Sequence, residues 1–190
     1  MIVAIMRHPE IRFNLARGYL GFIMPLISGM MAAYAVLEDP ALELRFATPV
    51  RAEQTLLARL GLIMAVQTAC ALSFQLFLLA LKVDLSVLGG LFGVQLAWFL
   101  PTLSLIALGT AGALAGAQTV IGAFLVGAVW LVQVMMKGWF EANARYLHLF
   151  RGVLVPGDPD LVLNQCVLLA GSMALLFLSW VLLHRQERYI

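Results

Sequence analysis

The side chains able to do chemistry are few and scattered. His8, His148 and His184 each stand alone, without a second ligand at helical spacing, so no metal or haem site is expected and each reads as a solvated or snorkelling imidazole. Cys70 and Cys166 sit inside apolar runs and read as small core hydrophobes, with no disulfide framework. The chain has no Gly-x-x-x-x-Gly-Lys-Ser/Thr phosphate loop, no Gly-x-Ser-x-Gly elbow and no His-Glu-x-x-His pair. It therefore reads as a non-enzyme that needs no cofactor of its own.

The polar residues that remain fall into two sets. Gln67, Gln75, Gln95 and Gln133 interrupt apolar runs; such amides either bond between helices or line a polar path. The second set is concentrated in Glu38-Asp-Pro-Ala-Leu-Glu43-Leu-Arg45-Phe-Ala-Thr48-Pro49-Val-Arg51, which continues to Arg59. Thr48 suits a helix N-cap and Pro49 the first turn behind it. The pattern predicts a short helix, a restart and an amphipathic lead into the next apolar run. It is either an ordinary solvated loop or a rigid docking element at a membrane face.

These residues must be positioned by apolar helices. Of the 190 residues, 63% are hydrophobic and 12% charged, and mean hydropathy is +0.96. A soluble domain carries about 25% charged residues, so this surface is built to face hydrocarbon. A net charge of +2 leaves no footprint for nucleic acid. Runs near the spanning length of about 20 residues predict five spans, at about 19–36, 60–81, 87–108, 117–136 and 163–183. The expected fold is an all-α, polytopic transmembrane bundle forming a single domain over 1–190.

No charge falls between Val87 and Met136, so the third and fourth spans must reverse within the run. The glycine-rich stretch from Gly109 to Gln118 is the predicted turn. Met1 to Gly18, with Arg7, Arg12 and Arg17 among apolar residues, reads as an interfacial segment with the pattern of a short amphipathic helix. Lys137 to Val162 is a second polar stretch, studded with Trp139, Phe140, Tyr146 and Phe150 as at a headgroup boundary. Gly89 with Gly93, and Gly112 with Gly116, have the small-xxx-small spacing of close helix packing. Five spans put the termini on opposite sides, and seven basic residues against five do not orient them.

The segment Glu38 to Val50 resembles the Glu-x-x-x-Leu-Glu-Leu-x-x-Ala-Thr-Pro-Val stretch between the second and third spans of ABC-2 type transporter permease subunits. Leu105 to Trp130, with its Ala-Leu-Gly-Thr-Ala-Gly-Ala-Leu-Ala core, is similar to that family's fourth and fifth spans. Leu175 to Arg188 resembles its last span and basic tail. The family normally has six spans, so the resemblance implies that the first is lacking here. It implies a permease subunit in the inner or plasma membrane of a prokaryote, working with a nucleotide-binding ATPase subunit and other membrane subunits. Glu38, Glu43, Arg45, Thr48, Pro49 and Arg51 would then form a cytoplasmic coupling segment, and Tyr146 to Val162 would lie outside, with room to re-enter before the last span. The alternative is a permease-like structural subunit of a larger membrane complex that transports nothing.

Overall fold

The computed structural model describes residues 9–37, 52–83 and 90–186. Every regular element among them is helical, so the fold is an all-α bundle. The chain opens with α1 (Pro9–Gly18), a π turn (Tyr19–Ile23) and α2 (Met24–Leu37), which together make one rod. The stretch up to Gly18 that reads as interfacial is thus helical from Pro9, and the first apolar span is Phe13–Leu37. No residue near Gly18 stops the helix, so it begins before the hydropathy does. The π turn has a local cause. Pro25 has no N–H for the carbonyl of Gly21, and its ring crowds that carbonyl. Widening the turn just ahead of it relieves the crowding.

Next come α3 (Ala52–Ala80), α4 (Gly90–Gly116) and α5 (Thr119–Met135), then α6 (Lys137–Asn143), a single 3₁₀ turn (Arg145–Leu147), α7 (Arg151–Leu154) and α8 (Leu161–Gln186). Among the described residues, four helices are long and apolar enough to cross a membrane: Phe13–Leu37, Glu53–Ala80, Phe92–Gly116 and Leu161–His184. The expected fourth span is different. Its helix, α5, has 17 residues and turns by 79° into α6.

The direction of each rod follows from bonds at the ends. Arg17, early in the first rod, donates Nη2 to the carbonyl of Leu154 at 3.3 Å. Segment 144–160 therefore shares an end of the bundle with α1. Trp180, late in α8, donates Nε1 to Glu53, early in α3, at 3.1 Å. Those residues mark the opposite end. Between the two ends α5 must cross, short as it is.

The reversal between α4 and α5 falls at Ala117 and Gln118, the far edge of the predicted stretch. Ala117 takes the left-handed conformation at φ 51, and Gln118 N–H returns to Ala113 O at 3.2 Å. This is the bond of a helix stop. The glycines before it do not break α4, because they serve contact. A Cβ on Gly29 would stand 2.8 Å from Leu105 O, one on Gly122 2.6 Å from Gly109 O, and one on Gly109 would strike Gly29 O. Backbones of α2, α4 and α5 meet there with no side chain between them.

This makes α4 the central post, packed against α2, α5 and α8. One core joins Leu105 and Val126 to Leu149 and Phe150 of the loop and to Leu168 of α8. Another joins Ala32, Leu60, Ile63 and Ile106. Hydroxyls inside the apolar layer bond back along their helices, as Ser28 does to Met24 O at 2.7 Å and Thr110 to Ile106 O at 2.8 Å. Cys70 and Cys166 are not core residues: both face outward from α3 and α8. In a bilayer the outer face is as apolar as the core, so an apolar neighbourhood does not imply burial.

Candidate functional site

Two polar locations sit at opposite ends of the bundle. The first is the pair of anchors around the charged segment. Glu38, Glu43, Arg45, Thr48, Pro49 and Arg51 lie outside the described residues, as does Gly89. The structure shows what flanks them. α2 ends at Leu37 and α3 begins at Ala52, so both ends of the segment emerge at one end of the bundle. Arg59 donates Nη1 to Ala35 O at 2.7 Å and ties the two helices together there. Glu53 accepts from Trp180 and lies 3.5 Å from His184 Nε2, which ties α3 to α8. Below these bonds an apolar groove of about 300 Å³ runs between α3, α4 and α8, lined by Leu56, Leu60, Met64, Ile106 and Leu176.

The second location is the loop at the other end. The carbonyls and N–H groups of an irregular segment must find partners wherever it is buried, and two amides supply them. Gln133 of α5 donates to Leu147 O at 3.1 Å and accepts from Leu149 N–H at 3.3 Å. Asn164 of α8 donates Nδ2 to the carbonyls of Arg145, Tyr146 and His148 at 3.3, 2.9 and 3.1 Å. Gripped from both sides, residues 145–155 enter the mouth of the bundle. Phe150 is fully buried beside Phe22, with ring centroids 4.7 Å apart. A Cβ on Gly21 would stand 2.8 Å from Val153 Cγ1, and Trp130 donates Nε1 to Phe22 O in the π turn at 2.9 Å.

Two ionisable groups go down with the segment. Arg151, 6% exposed, is paired through Nη2 with Asp158, while its Nε and Nη1 have no hydrogen-bond partner. Asp158 is held below the usual carboxylate range, first by the Asp160 N–H that it accepts at 2.8 Å and then by Arg151. His148 has no exposed surface and neither ring nitrogen has a hydrogen-bond partner. Its ring stacks on Phe140 at 5.9 Å and meets Phe150 edge-on at 6.4 Å. Burial pushes its imidazole below the ordinary histidine value. The sequence reads His148 as solvated and Phe150 as a headgroup aromatic; both are interior. Trp139 does lie exposed.

The other amides bond across or along the bundle. Gln75 and Gln95 exchange hydrogen bonds between α3 and α4 at 2.7 and 3.4 Å, and Trp98 adds its Nε1 to Gln95 Oε1 at 2.8 Å. Gln67, also buried, reaches the sulfur of Met31 at 3.8 Å. Gly93 lies half-buried on α4. Gly112 and Gly116 face Leu125 and Ile121 of α5, each with room for no Cβ. Among the described residues, no three or more His, Cys, Asp or Glu side chains gather where they could hold a metal ion. Comparison with protein families, with curated proteins and with solved structures returns no match.

Proposed function

We propose that the chain is the membrane-embedded, permease-like subunit of an ABC-2 type, ATP-driven transporter and works with a separate nucleotide-binding subunit in a prokaryotic inner or plasma membrane. The observation that carries this reading is where the most charged stretch of the chain emerges. Segment 38–51 joins two span-length helices, and those helices are bonded to each other at the same end through Arg59 and Ala35. Glu53 extends the tie to α8. A partner bound to this segment would act on the ends of two bonded helices. Side chains of this type at the base of two rods suit a coupling surface, with the ATPase chemistry supplied by the partner.

Replacing Glu43 and Arg51 together should leave the complex assembled and its ATPase running while transport falls at least tenfold. Unchanged transport in reconstituted vesicles would remove the coupling role. A second reading, a structural subunit that transports nothing, is favoured by the Gln75–Gln95–Trp98 set, which turns inward polar groups on one another. Purification in mild detergent separates the two. A nucleotide-binding ATPase subunit in the recovered complex favours transport, and an assembly without one favours the structural role.

A further inference from the structure

The interior of segment 145–155 is an unusual place for an imidazole. His148 is closed off from solvent between Phe140 and Phe150, and neither ring nitrogen has a hydrogen-bond partner. A neutral ring tolerates this at the cost of its unmade bonds. A protonated ring gains a second N–H and a full charge in a closed apolar setting, where burial opposes the charge more than the carboxylate of Glu141 and the main chain of Gln133 favour it. The charged groups near it are Lys137 and Glu141 on α6 and Arg151 on α7. α5 and α8 hold its segment with the amides Gln133 and Asn164, which do not titrate. Glu141, the one anion of the three, lies 3.7 Å from Lys137 and is exposed. Protonation in place would therefore bring a third cation beside Arg151 and Lys137, with one already-paired carboxylate to answer it.

The grip on the segment is also reversible. It consists of hydrogen bonds to main-chain groups, which water replaces on release, the insertion of Phe150 and Val153, and the ion pairs of Arg145 with Asp160 and Arg151 with Asp158. We propose that residues 145–155 form a proton-sensitive plug, seated in the mouth of the bundle while His148 is neutral and released when His148 takes up a proton. The sign follows from linkage. The released imidazole has the ordinary value near 6.5, and the seated one lies lower. Below that ordinary value the released state binds more protons, so acid favours release, by up to about tenfold in population per pH unit until the seated value is passed. Asp158 stays charged through this window, because its carboxyl is held below 3.8. The device rests on the loop alone and does not depend on what the protein carries.

The test places spin labels on the full chain in lipid nanodiscs, at Leu147→Cys on the segment and Phe92→Cys at the start of α4, both exposed. Cys70→Ser and Cys166→Ser clear the background. Pulsed EPR should find one distance near neutral pH and a second, longer one that grows as pH falls from about 7.5 to about 5. His148→Phe should keep the single distance throughout. If His148→Phe lacks the neutral-pH distance of the parent, His148→Gln replaces it, with the same flat response expected. A parent distance that ignores pH, or a pH response that survives loss of the imidazole, overturns the plug.

Discussion

α4 and α8 are nearly the same helix on paper, 27 and 26 residues long, apolar on every side and without a charge in their interior. In the bundle they differ. The most apolar window of α4 is 56% buried and that of α8 is 17% buried. The difference lies in small side chains. α4 offers Gly109, Gly112 and Gly116 to its neighbours, each with a neighbour inside Cβ range, whereas Gly171 of α8 has nothing within 4 Å. Hydrocarbon outside rewards apolar surface as much as the core does, so hydropathy places a helix in the membrane and contact geometry places it in the bundle.

Four substitutions bear on this contrast. The largest effect is expected from Gly109→Leu. Its side chain would collide with the backbone of α2, so overpacking of about 3 kcal/mol or more should prevent a folded protein in detergent. Gly171→Leu should leave thermal stability within about 0.5 kcal/mol. If both variants melt alike, close contact at the glycines does not define the centre. A middle effect is expected from Gln95→Leu, which strips partners from Gln75 and Trp98; a loss of about 1 kcal/mol should appear in thermal unfolding. A smaller loss, close to the near-neutral Gly171→Leu, should come from Ser172→Ala, which breaks the 2.9 Å bond from α8 to Ser104 of α4, worth about 0.6 kcal/mol. A larger loss there than at Gln95 would mean that α8 is held by that bond and not by its apolar contacts.

Much of this bundle can be read from the residues. Span-length apolar runs locate α3, α4 and α8 to within several residues, because a bilayer-crossing helix has little freedom of composition. The helix of Pro9 to Gly18 is legible as an amphipathic segment, but its continuity with the first span is not, since the span Phe13–Leu37 begins among residues that are helical without being apolar. The reversal at Ala117 falls inside the predicted Gly109 to Gln118 stretch but after its glycines, because a glycine that packs and a glycine that turns look alike in one sequence. The interior of the loop is the largest omission. His148-Leu-Phe-Arg-Gly-Val-Leu-Val mixes polar and apolar residues without a helical or strand period. The available signal was indirect, in the amides Gln133 and Asn164 that stand in apolar helices on either side and need partners. The charged segment 38–51, the strongest feature of the sequence, lies outside the described residues, and the structure shows only its anchors at Ala35, Glu53 and Arg59.

The 17 residues of α5 measure about 25 Å at 1.5 Å per residue. The hydrocarbon layer of an average bilayer is about 30 Å thick. The neighbouring rods, at 24 to 28 residues, reach it easily. The protein is therefore a pillar with one low side, and the lipids against α5 must shorten or tilt to meet it. A membrane of shorter-chain lipids would suit that side better than the others. Bilayer thickness thus becomes a force on Met136, where the chain turns into the polar loop.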